Sequence, residues 1–586
     1  MALVGVALCC ALFAGLACAD FTYTTNYFGT TATITGYTGP GGVVVIPGDL
    51  DGKPVVAIGN GAFQNQISIT DIIVPDGISQ VGRDALAGCI TLTNVLLGAD
   101  ITDISDGLFS GCVSLSHIQW TGAINQLGRG AFRNCKSLAN MVIPPSVTQV
   151  LMDVFSGCEG LTNVVLHNAV TSIGANAFSH CTGLSEIIIP ASVTAMGASS
   201  FWNCTGLTFI VVDDANPAFV SVDGVLYNKS QTTLILYPPA RAGHYVFPET
   251  VTHIGDHAFM HVSGLTHLSI PAGMLSIGEG AFRNSPHLAS VEVPSTATQI
   301  GANAFLGCTA LNAIKVNALN PVYSDIDGVL FSKDLTELIR FPGARPGDPY
   351  VIPTGVTQVV AQAFSSSAGL RGVEFPSTIR HVQAAAFEGC VSLAEVDLPP
   401  GLTTIASALF FGCTALRRVR IPDTVTSIGQ YAFLGCSSLP RIRIPGNVTA
   451  IGAGRGETFA QCGNLMGAYF EGARPSHGSR LFDESLDVIV YRLPDAAGWT
   501  NALYADRPVQ IWLPTATMSG DEMQPGLALE IGAVWANGRQ LILEAREQLN
   551  HGDWIPVATN TTANGLTTFS IPLNPDSPSR FFRLVP

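Results

Sequence analysis

The sequence predicts a mainly β chain with short helical turns, folded as a solenoid of about 15 units with two hairpin insertions and a small C-terminal β-sandwich-like module. Three observations predict it. A phenylalanine recurs every 23 residues, branched apolar residues alternate before it, and proline or glycine ends these runs. A unit of this size cannot bury its apolar side chains alone, so stacked units must do so. Most of the 586 residues, long enough for about four ordinary domains, therefore form one elongated domain.

The phenylalanine and a cysteine three residues after it define the ladder of the repeat. The phenylalanine position is held by Phe63, Leu86, Phe109, Phe132, Phe155, Phe178, Phe201, Phe259, Phe282, Phe305, Phe364, Phe387, Phe410, Phe433 and Phe459. Most units keep the cysteine, as at Cys112, Cys135, Cys158, Cys181 and Cys204. Cysteines at one position of stacked units all point inward, so we expect a reduced structural ladder of buried thiols. Disulfides between neighbouring units are the alternative, because export favours them.

One unit, 184–207, shows how each segment is expected to fold. It reads LSEIIIPASVTAMGASSFWNCTGL. The opening alternates and is rich in branched residues, which is typical of a short strand that Pro190 ends. Val193 and Met196 begin a second extended piece, and the segment around Phe201 is expected to form a tight helical turn.

Most units follow the pattern L-x-x-I-x-I-P-x-x-V-T-x-I-G-x-x-A-F-x-x-C-x-x-L. Two copies near the full pattern are 161–184 and 416–439. The pattern resembles the BspA-like leucine-rich repeat family of bacterial surface and secreted proteins, over roughly residues 20 to 513. The resemblance implies a leucine-rich-repeat solenoid that binds other macromolecules outside the cell. It brings no set of catalytic residues.

The chain divides by composition into six predicted regions. An apolar run at 2–16 followed by Ala17-Cys18-Ala19 predicts a signal peptide at 1–19, and hence a secreted or cell-surface protein. A lipid anchor at Cys18 is the alternative. The remaining regions are an N-terminal cap at 20–59, the solenoid at 60–470, a C-terminal cap at 471–514, a linker at 515–524 and a small β-module at 525–586.

Two insertions, at 213–247 and 317–352, interrupt the 23-residue period and resemble each other. Each contains Asn-Pro, then Asp-Gly-Val-Leu with an aromatic residue, then an alternating run. This order predicts a β-hairpin in each insertion. The hairpin either projects from the solenoid as part of a binding face or only widens the core.

Charge and motif content limit the classes of function. With 28 basic and 43 acidic side chains and a net charge of −15, the chain is a poor partner for nucleic acid or an anionic membrane. No HExxH, GxSxG or GxxxxGK[ST] motif occurs, so we expect no enzyme and no cofactor. His253, His257, His261 and His267 have a spacing that suggests metal ligands. The first three align with variable surface positions of the repeat and His267 falls on a strand with a different face, so no metal is expected. Asp325 and Asp327-Gly328 mimic only part of a calcium loop.

The outward column of the repeat strands carries the candidate binding residues. In the first half it is apolar, with Val142, Val165, Ile188 and Val211. Its last units are acidic and then basic, with Glu395 and Asp397 followed by Arg418, Arg420, Arg441 and Arg443. We expect the acids to pair with Arg418 and Arg420 across strands, and the last two arginines to have no acid of their own. Exposed β-propensity and a solvated charged face are the structural alternatives.

These observations predict a secreted or cell-surface solenoid that binds protein or glycan through its strand face, in adhesion or envelope interaction. The arginines suit a carboxylate partner such as an acidic protein or polysaccharide. A passive envelope or matrix spacer is the alternative, and a metal-dependent enzyme is the less favoured one.

Overall fold

The computed structural model describes residues 20–243, 245–345, 349–454, 456–493 and 496–511, and beyond them only the strands of the C-terminal module. The predicted signal peptide lies outside the described residues. The described chain divides into two compact units. The first runs to Asp334 and includes Arg340–Ala344, and the second consists of Leu335–Ile339 and the residues from Arg345 on.

The repeats contribute strands to parallel sheets on one side of the solenoid, which we call the face strands; they are three to six residues long except for His267–Leu268 and Tyr350–Val351, which have two. In the first unit the face strands are Gly42–Val45, Ile69–Val74, Asn94–Leu97, His117–Trp120, Asn140–Val142, Asn163–Val165, Glu186–Ile189, Phe209–Val212, His267–Leu268, Ser290–Val293 and Ala313–Val316. In the second unit they are Tyr350–Val351, Gly372–Glu374, Glu395–Asp397, Arg418–Arg420, Arg441–Ile444, Gly467–Phe470, Ile489–Arg492 and Arg507–Ile511. The alternation predicted from the sequence places every second side chain of these strands in the core.

A second extended piece follows in each repeat, and it is only two residues long in the regular units. In the first unit these strands are Gln80–Val81, Asp103–Ile104, Gln126–Leu127, Gln149–Val150, Ser172–Ile173, Ala195–Met196, His253–Ile254, Ser276–Ile277 and Gln299–Ile300. In the second unit they are Gln358–Val359, His381–Val382, Thr404–Ile405, Ser427–Ile428, Ala450–Ile451 and Ser476–His477. They also pair in parallel, as Ser172 does with Ala195.

The phenylalanine sits in a tight turn, and no helix longer than such a turn occurs among residues 20–511 that the structure describes. Around Phe178 the residues two before and two after it, Asn176 and His180, have left-handed backbone with φ of 53° and 59°. Glycine, asparagine, aspartate and histidine recur at these two positions because such residues tolerate left-handed backbone better than most others do. The N–H groups of alternate turn residues donate to carbonyls of the next unit, as Phe155 does to Ala177.

Phenylalanine rings form the interior spine of each unit. Phe109, Phe132, Phe155, Phe178 and Phe201 stack one on the next with centroids 5.4–5.5 Å apart. In the second unit the stack runs through Phe364, Phe387, Phe410, Phe433, Phe459 and Phe482. All five rings of the first stack are buried, which matches the predicted ladder.

Strands that precede the first repeat cover its core. Phe21–Thr25 pairs antiparallel with Ala32–Tyr37, which in turn pairs in parallel with Lys53–Ile58. Asp49–Leu50 forms a short antiparallel ladder with the start of that last strand. Tyr37 and Phe21 pack on Phe63, so the first core ring is covered by aromatic residues.

Both insertions contain the predicted hairpins. Phe219–Val222 pairs antiparallel with Val225–Asn228, and Thr233–Leu236 then returns to the solenoid beside His253–Ile254. In the second insertion Tyr323–Ile326 pairs with Val329–Ser332, and Glu337–Arg340 pairs in parallel with Gln358–Val359.

Of the two alternatives for the hairpins, the structure shows the second: they widen the core and do not project from the solenoid. The first three residues of the middle strand are fully buried in each, with Val225, Leu226 and Tyr227 in one hairpin at 0% exposure. Because this strand carries three consecutive apolar residues, it can only be accommodated inside, and the hairpins extend the core.

The repeat continues further than the sequence analysis placed it. A turn at Phe482 stacks on Phe459 at 5.6 Å, inside the segment predicted as a C-terminal cap. Ser485 takes the cysteine position of this unit, and its hydroxyl donates to the carbonyl of Phe459 at 2.8 Å. Because this repeat lacks the cysteine, the phenylalanine–cysteine spacing did not identify it in the sequence. The chain then ends its described solenoid with Leu503–Tyr504 against Arg507–Ile511.

The C-terminal module is described by its strands alone. Thr517–Ser519, Leu527–Gly532 and Leu566–Ile571 form one antiparallel sheet. Gln540–Arg546, Ile555–Thr561 and Phe581–Val585 form another. The strand Thr517–Ser519 falls within the segment predicted as a linker. The sandwich itself and the domain boundaries stay predictions.

Candidate binding surface

A column of branched apolar side chains is exposed on the face strands of the first unit. Val142, Val165 and Ile188 are 53%, 40% and 56% exposed, and Val211 is half-buried. Strand pairing sets Val142 beside Val165 and Ile188 beside Val211. The structure thus places the four predicted residues at equivalent outward positions of successive strands, facing solvent.

The neighbouring outward column is polar and ends in one apolar residue that the sequence analysis missed. Its exposed members are Asn140, Asn163 and Glu186, followed by Phe209 at 42% exposure. Phe209 pairs with Glu186, and its ring lies against Gly224 in the hairpin turn, where a side chain would collide with the ring. The break in the 23-residue period after Phe209 concealed this neighbour, because the hairpin that supports its ring comes from the insertion.

In the second compact unit, one of the outward arginines, Arg418, pairs with acidic residues of the neighbouring strand as expected. Arg418 donates through Nη2 and Nε to Glu395 at 2.8 and 3.0 Å, and its Nη1 lies 3.3 Å from Asp397. The hydrogen bond to Glu395 raises the pKa of Arg418 above its ordinary value. Arg420 lies beside Asp397 in the strand register, yet it forms no ion pair with any residue that the structure describes. Only one of the two expected pairings therefore forms.

The expectation that Arg443 has no acid of its own was wrong. Its Nε and Nη2 donate to the two carboxylate oxygens of Glu471 at 2.7 and 2.6 Å, and Nη2 also contacts Asp423 at 2.8 Å. Burial disfavours its charge, but the bonds to Glu471 and then Asp423 outweigh this, so the pKa of Arg443 is raised. Its side chain is 23% exposed and that of Glu471 only 1%, so this guanidinium is largely enclosed.

Arg441 is the exposed member of that strand and has an aromatic neighbour. It lies opposite Gly467 in the register, and the ring of Tyr469 lies over that glycine. Tyr469 stacks on Tyr491 with centroids 4.7 Å apart and planes within 9°. Burial and Tyr491 raise the pKa of Tyr469, while Arg441 opposes the rise, which places the guanidinium charge near the ring. Among the described residues Arg441 has no ion-pair partner.

The cysteine ladder is buried and reduced throughout the part of the chain that the structure describes. All eleven of its cysteines are free thiols. In the regular repeats the thiol donates to the carbonyl at the ladder phenylalanine position 26 residues earlier, as Cys158 does to Phe132 at 3.1 Å and Cys112 to Leu86. Burial raises the pKa of Cys158 to about 12 and that of Cys89 to about 11. These thiols therefore act as small apolar residues with a single weak hydrogen bond.

The histidine spacing reflects turn geometry rather than a helix face. His257 and His261 occupy the two left-handed positions around Phe259, with φ of 58° and 61°. His253 and His267 lie on two different strands. Burial and the nearby His180 and Arg283 lower the pKa of His261.

Asp325 of the second insertion holds the hairpin in place by hydrogen bonds to backbone N–H groups. Asp325 accepts hydrogen bonds from the N–H groups of Val316 and Gly328, and it contacts Lys315 at 3.9 Å. Within the described ranges no group of three or more His, Cys, Asp and Glu side chains is arranged to hold a metal ion. Nor does any helix there have the length and apolar character needed to cross a membrane.

The similarity to known proteins lies in the repeats. The family model described as BspA type leucine rich repeat region matches residues 56–158, 102–221, 242–342 and 350–486, well over half of the chain. A comparison with curated proteins gives no match.

Two solved structures illustrate the similarity. A leucine rich cell surface protein from Faecalibacterium prausnitzii A2-165 is 25% identical, covers 78% of this chain and 94% of its own, and has a TM-score of 0.34. A leucine-rich repeat protein from Bacteroides ovatus ATCC 8483 is 22% identical, covers 73% and 94%, and has a TM-score of 0.38. On the family match and on the described repeat, this chain is a leucine-rich repeat solenoid and belongs to the BspA-type leucine-rich repeat family.

Proposed function

We propose that this protein acts at the bacterial cell surface or after secretion, where it binds a protein partner through the apolar column of its first unit. The observation that carries the proposal is the exposure of Val142, Val165 and Ile188 at equivalent outward positions of successive face strands. Contiguous apolar surface on a soluble protein marks an interaction site more often than scattered apolar residues do. Phe209 and Val211 extend this surface toward the first insertion.

The contribution of these side chains to binding follows from burial. Covering apolar area contributes roughly 25 cal/mol per Å², and the residues on neighbouring strands would be covered together. The adjoining Asn140, Asn163 and Glu186 supply a polar rim, which is the usual anatomy of a protein interface. β-Propensity alone also favours valine and isoleucine at these positions, so binding must be measured directly.

The test compares three forms of the chain from Asp20 in pull-downs with envelope extract and purified matrix proteins. One variant, Val165→Asp/Ile188→Asp, places two charges in the apolar column. The matched control, Gln149→Asp/Ala195→Asp, places two charges on exposed positions of the short strands in the same region. We expect capture by the wild type and the control and loss with the column variant, with circular dichroism unchanged in all three. Equal capture by all three forms would reject the apolar column as the site.

A second candidate surface is the pair Arg420 and Arg441, to which we assign a carboxylate-rich polysaccharide. The pairing of Arg418 with Glu395 and of Arg443 with Glu471 leaves these two guanidinium groups for a partner. Guanidinium groups bind carboxylates with charge-assisted hydrogen bonds, and a sugar ring can lie against an aromatic face such as the Tyr469–Tyr491 stack. This surface also fits the envelope or adhesion role that the sequence predicts.

Its test uses polygalacturonate as the probe. Arg420→Glu and Arg441→Glu should each weaken binding at least tenfold, and added salt should weaken the wild type. Arg417→Glu makes the same charge change at an exposed neighbouring position and should have little effect. If Arg417→Glu weakens binding as much as the other two, only net charge matters and the assigned site is wrong.

A passive spacer remains the alternative function, with no specific ligand on either surface. It is favoured if no protein and no polysaccharide is captured by the wild-type chain. That the protein is not an enzyme stays a prediction, in keeping with its membership of a repeat family.

A further inference from the structure

The first insertion interrupts the ladder of turns and leaves three backbone donors facing a gap. In the preceding unit the N–H groups of Asn176, Phe178 and His180 donate to carbonyls of the next turn at 2.7–3.2 Å. The equivalent donors one unit later are Ser199, Phe201 and Asn203. The residues that would accept from them belong to the hairpin instead, and no backbone acceptor for them occurs among the described residues.

A cavity of about 260 Å³ lies at this break. Its lining includes the turn with the three donors, and also Ile235, Leu236 and Pro239 at the end of the insertion. Ligand pockets for drug-sized molecules begin at about 300 Å³, so this cavity suits one ring-sized group.

Trp202 and Met260 form the aromatic and thioether part of the lining. The indole N–H of Trp202 donates to the Met260 sulfur at 3.0 Å, and the ring is 38% exposed. Both residues directly follow their ladder phenylalanine, a position where serine stands in four other units, Ser110, Ser156, Ser179 and Ser365. The two repeats that flank the break thus carry large side chains where these four repeats have a small hydroxyl, so serine is compatible with the turn.

The electrostatic character of the cavity favours an anion. Ser199 and Asn203 have the left-handed backbone of the equivalent residues in other turns, with φ of 56° and 57°. Within the described ranges the N–H groups of Ser199, Phe201 and Asn203 lack the carbonyl acceptors that the preceding turn has, so their partial positive charge is left for an anion. Asp256 also lines the cavity, but its Oδ1 accepts the N–H of Glu279 at 2.8 Å and so points toward the following unit.

We propose that this cavity binds the ring of a carboxylate-bearing sugar, a hexuronate. The N–H groups of Ser199, Phe201 and Asn203 receive the carboxylate, and the apolar face of the sugar ring packs on Trp202. An aliphatic carboxylate such as N-acetylglycine has no ring to cover the indole, and a neutral hexose offers the three donors only uncharged hydroxyl oxygens, which accept more weakly than a carboxylate. This site is separate from the apolar column and from the arginine pair, and it goes beyond the function proposed above.

Calorimetric titration of the chain from Asp20 with D-glucuronate, D-glucose and N-acetylglycine tests the proposal. We expect glucuronate to bind and the other two to bind at least tenfold more weakly. Trp202→Ser and Met260→Ser install the residue found in other units, so both variants should fold, and each should weaken glucuronate binding at least tenfold. The double variant Arg420→Glu/Arg441→Glu should bind glucuronate as the wild type does, which separates this cavity from the polysaccharide surface.

Three results would overturn the proposal. Absence of glucuronate binding rejects the site. Binding that survives both serine variants places the sugar elsewhere. Equal binding of N-acetylglycine reduces the site to a carboxylate pocket that does not recognise a sugar.

Discussion

Arg443 and Glu471 form a two-point ion pair between the guanidinium and both carboxylate oxygens, at 2.7 and 2.6 Å, across 28 residues of sequence. The separation exceeds the 23-residue period because the repeat from Phe433 to Phe459 spans 26 residues, and because Glu471 lies two residues beyond Tyr469, the strand partner of Arg443. The pair removes one of the four arginines of the strand face from solvent and fixes it to the start of the next loop. It therefore determines which guanidinium groups remain for a ligand.

Glu471→Ala should destabilise the protein by about 3 kcal/mol, because it leaves a largely enclosed guanidinium without its main partner. Urea unfolding measures the effect. The matched control is Glu395→Ala, which removes an exposed partner of Arg418 and should cost less than about 1 kcal/mol. Similar losses for the two variants would show that enclosure of the Arg443–Glu471 pair adds nothing.

Phe178→Ala should cost about 3–5 kcal/mol, because it removes a buried ring from the stack between Phe155 and Phe201. Since each repeat contacts mainly its neighbours, hydrogen exchange should rise in those two units and stay unchanged around Phe63. Val142→Ala, at an exposed position, should change stability little. Faster hydrogen exchange in all repeats of the first compact unit would contradict stabilisation by nearest neighbours alone.

Asn216 is completely buried and satisfies four backbone groups. Its Nδ2 donates to the carbonyls of Pro190 and Val193 at 2.8 Å, and its Oδ1 accepts from Ala218 and Phe219. Asn216→Ala should therefore destabilise the first insertion by about 2–4 kcal/mol, since buried unsatisfied groups cost about 1–3 kcal/mol each and some will rebond.

Thermal unfolding followed by circular dichroism measures this loss. Asn320 makes the same set of bonds in the second insertion, so Asn320→Ala should behave alike. Asn140→Ala, on the exposed face, is the control and should be nearly neutral. A neutral Asn216→Ala would mean that the turn does not depend on this side chain.

The thiol ladder should make stability fall at alkaline pH. Burial raises the pKa of Cys158 from 9.0 to about 12, so between these values the unfolded thiol has lost its proton while the folded thiol keeps it. Stability is then full below pH 9 and declines as pH rises, by up to roughly 1.4 kcal/mol per pH unit for each such thiol.

Urea unfolding of wild type and Cys158→Ala between pH 8 and 10.5 checks this. The variant starts less stable because of its cavity, but its stability should fall less steeply with pH. Native thiols should also resist alkylation at pH 8 and react once urea is added. Parallel pH profiles for the two proteins would exclude Cys158 as a contributor.

The sequence by itself determined the repeat, its ladder of phenylalanine and cysteine, and the presence of a hairpin in each insertion. Periodicity is enough to predict these features because each repeat buries its apolar side chains against the two neighbouring repeats. The contacts of a residue therefore follow from its position in the 23-residue period. The outward positions Val142, Val165 and Ile188 followed from the same alternation. The repeated Asn-Pro pairs were also visible in the sequence, although their hydrogen bonds were not.

Only the tertiary structure decided what happens where the period breaks. Three features depend on contacts between segments whose spacing is no longer 23 residues. They are the burial of Tyr227, the pairing of Arg443 with Glu471 and the cavity beside Trp202. At such places the partner of a residue is set by how the inserted chain packs, and a repeat pattern contains no information about that. The left-handed backbone of His257 and His261 belongs here as well, since a spacing of four residues is the same in a helix and in this turn.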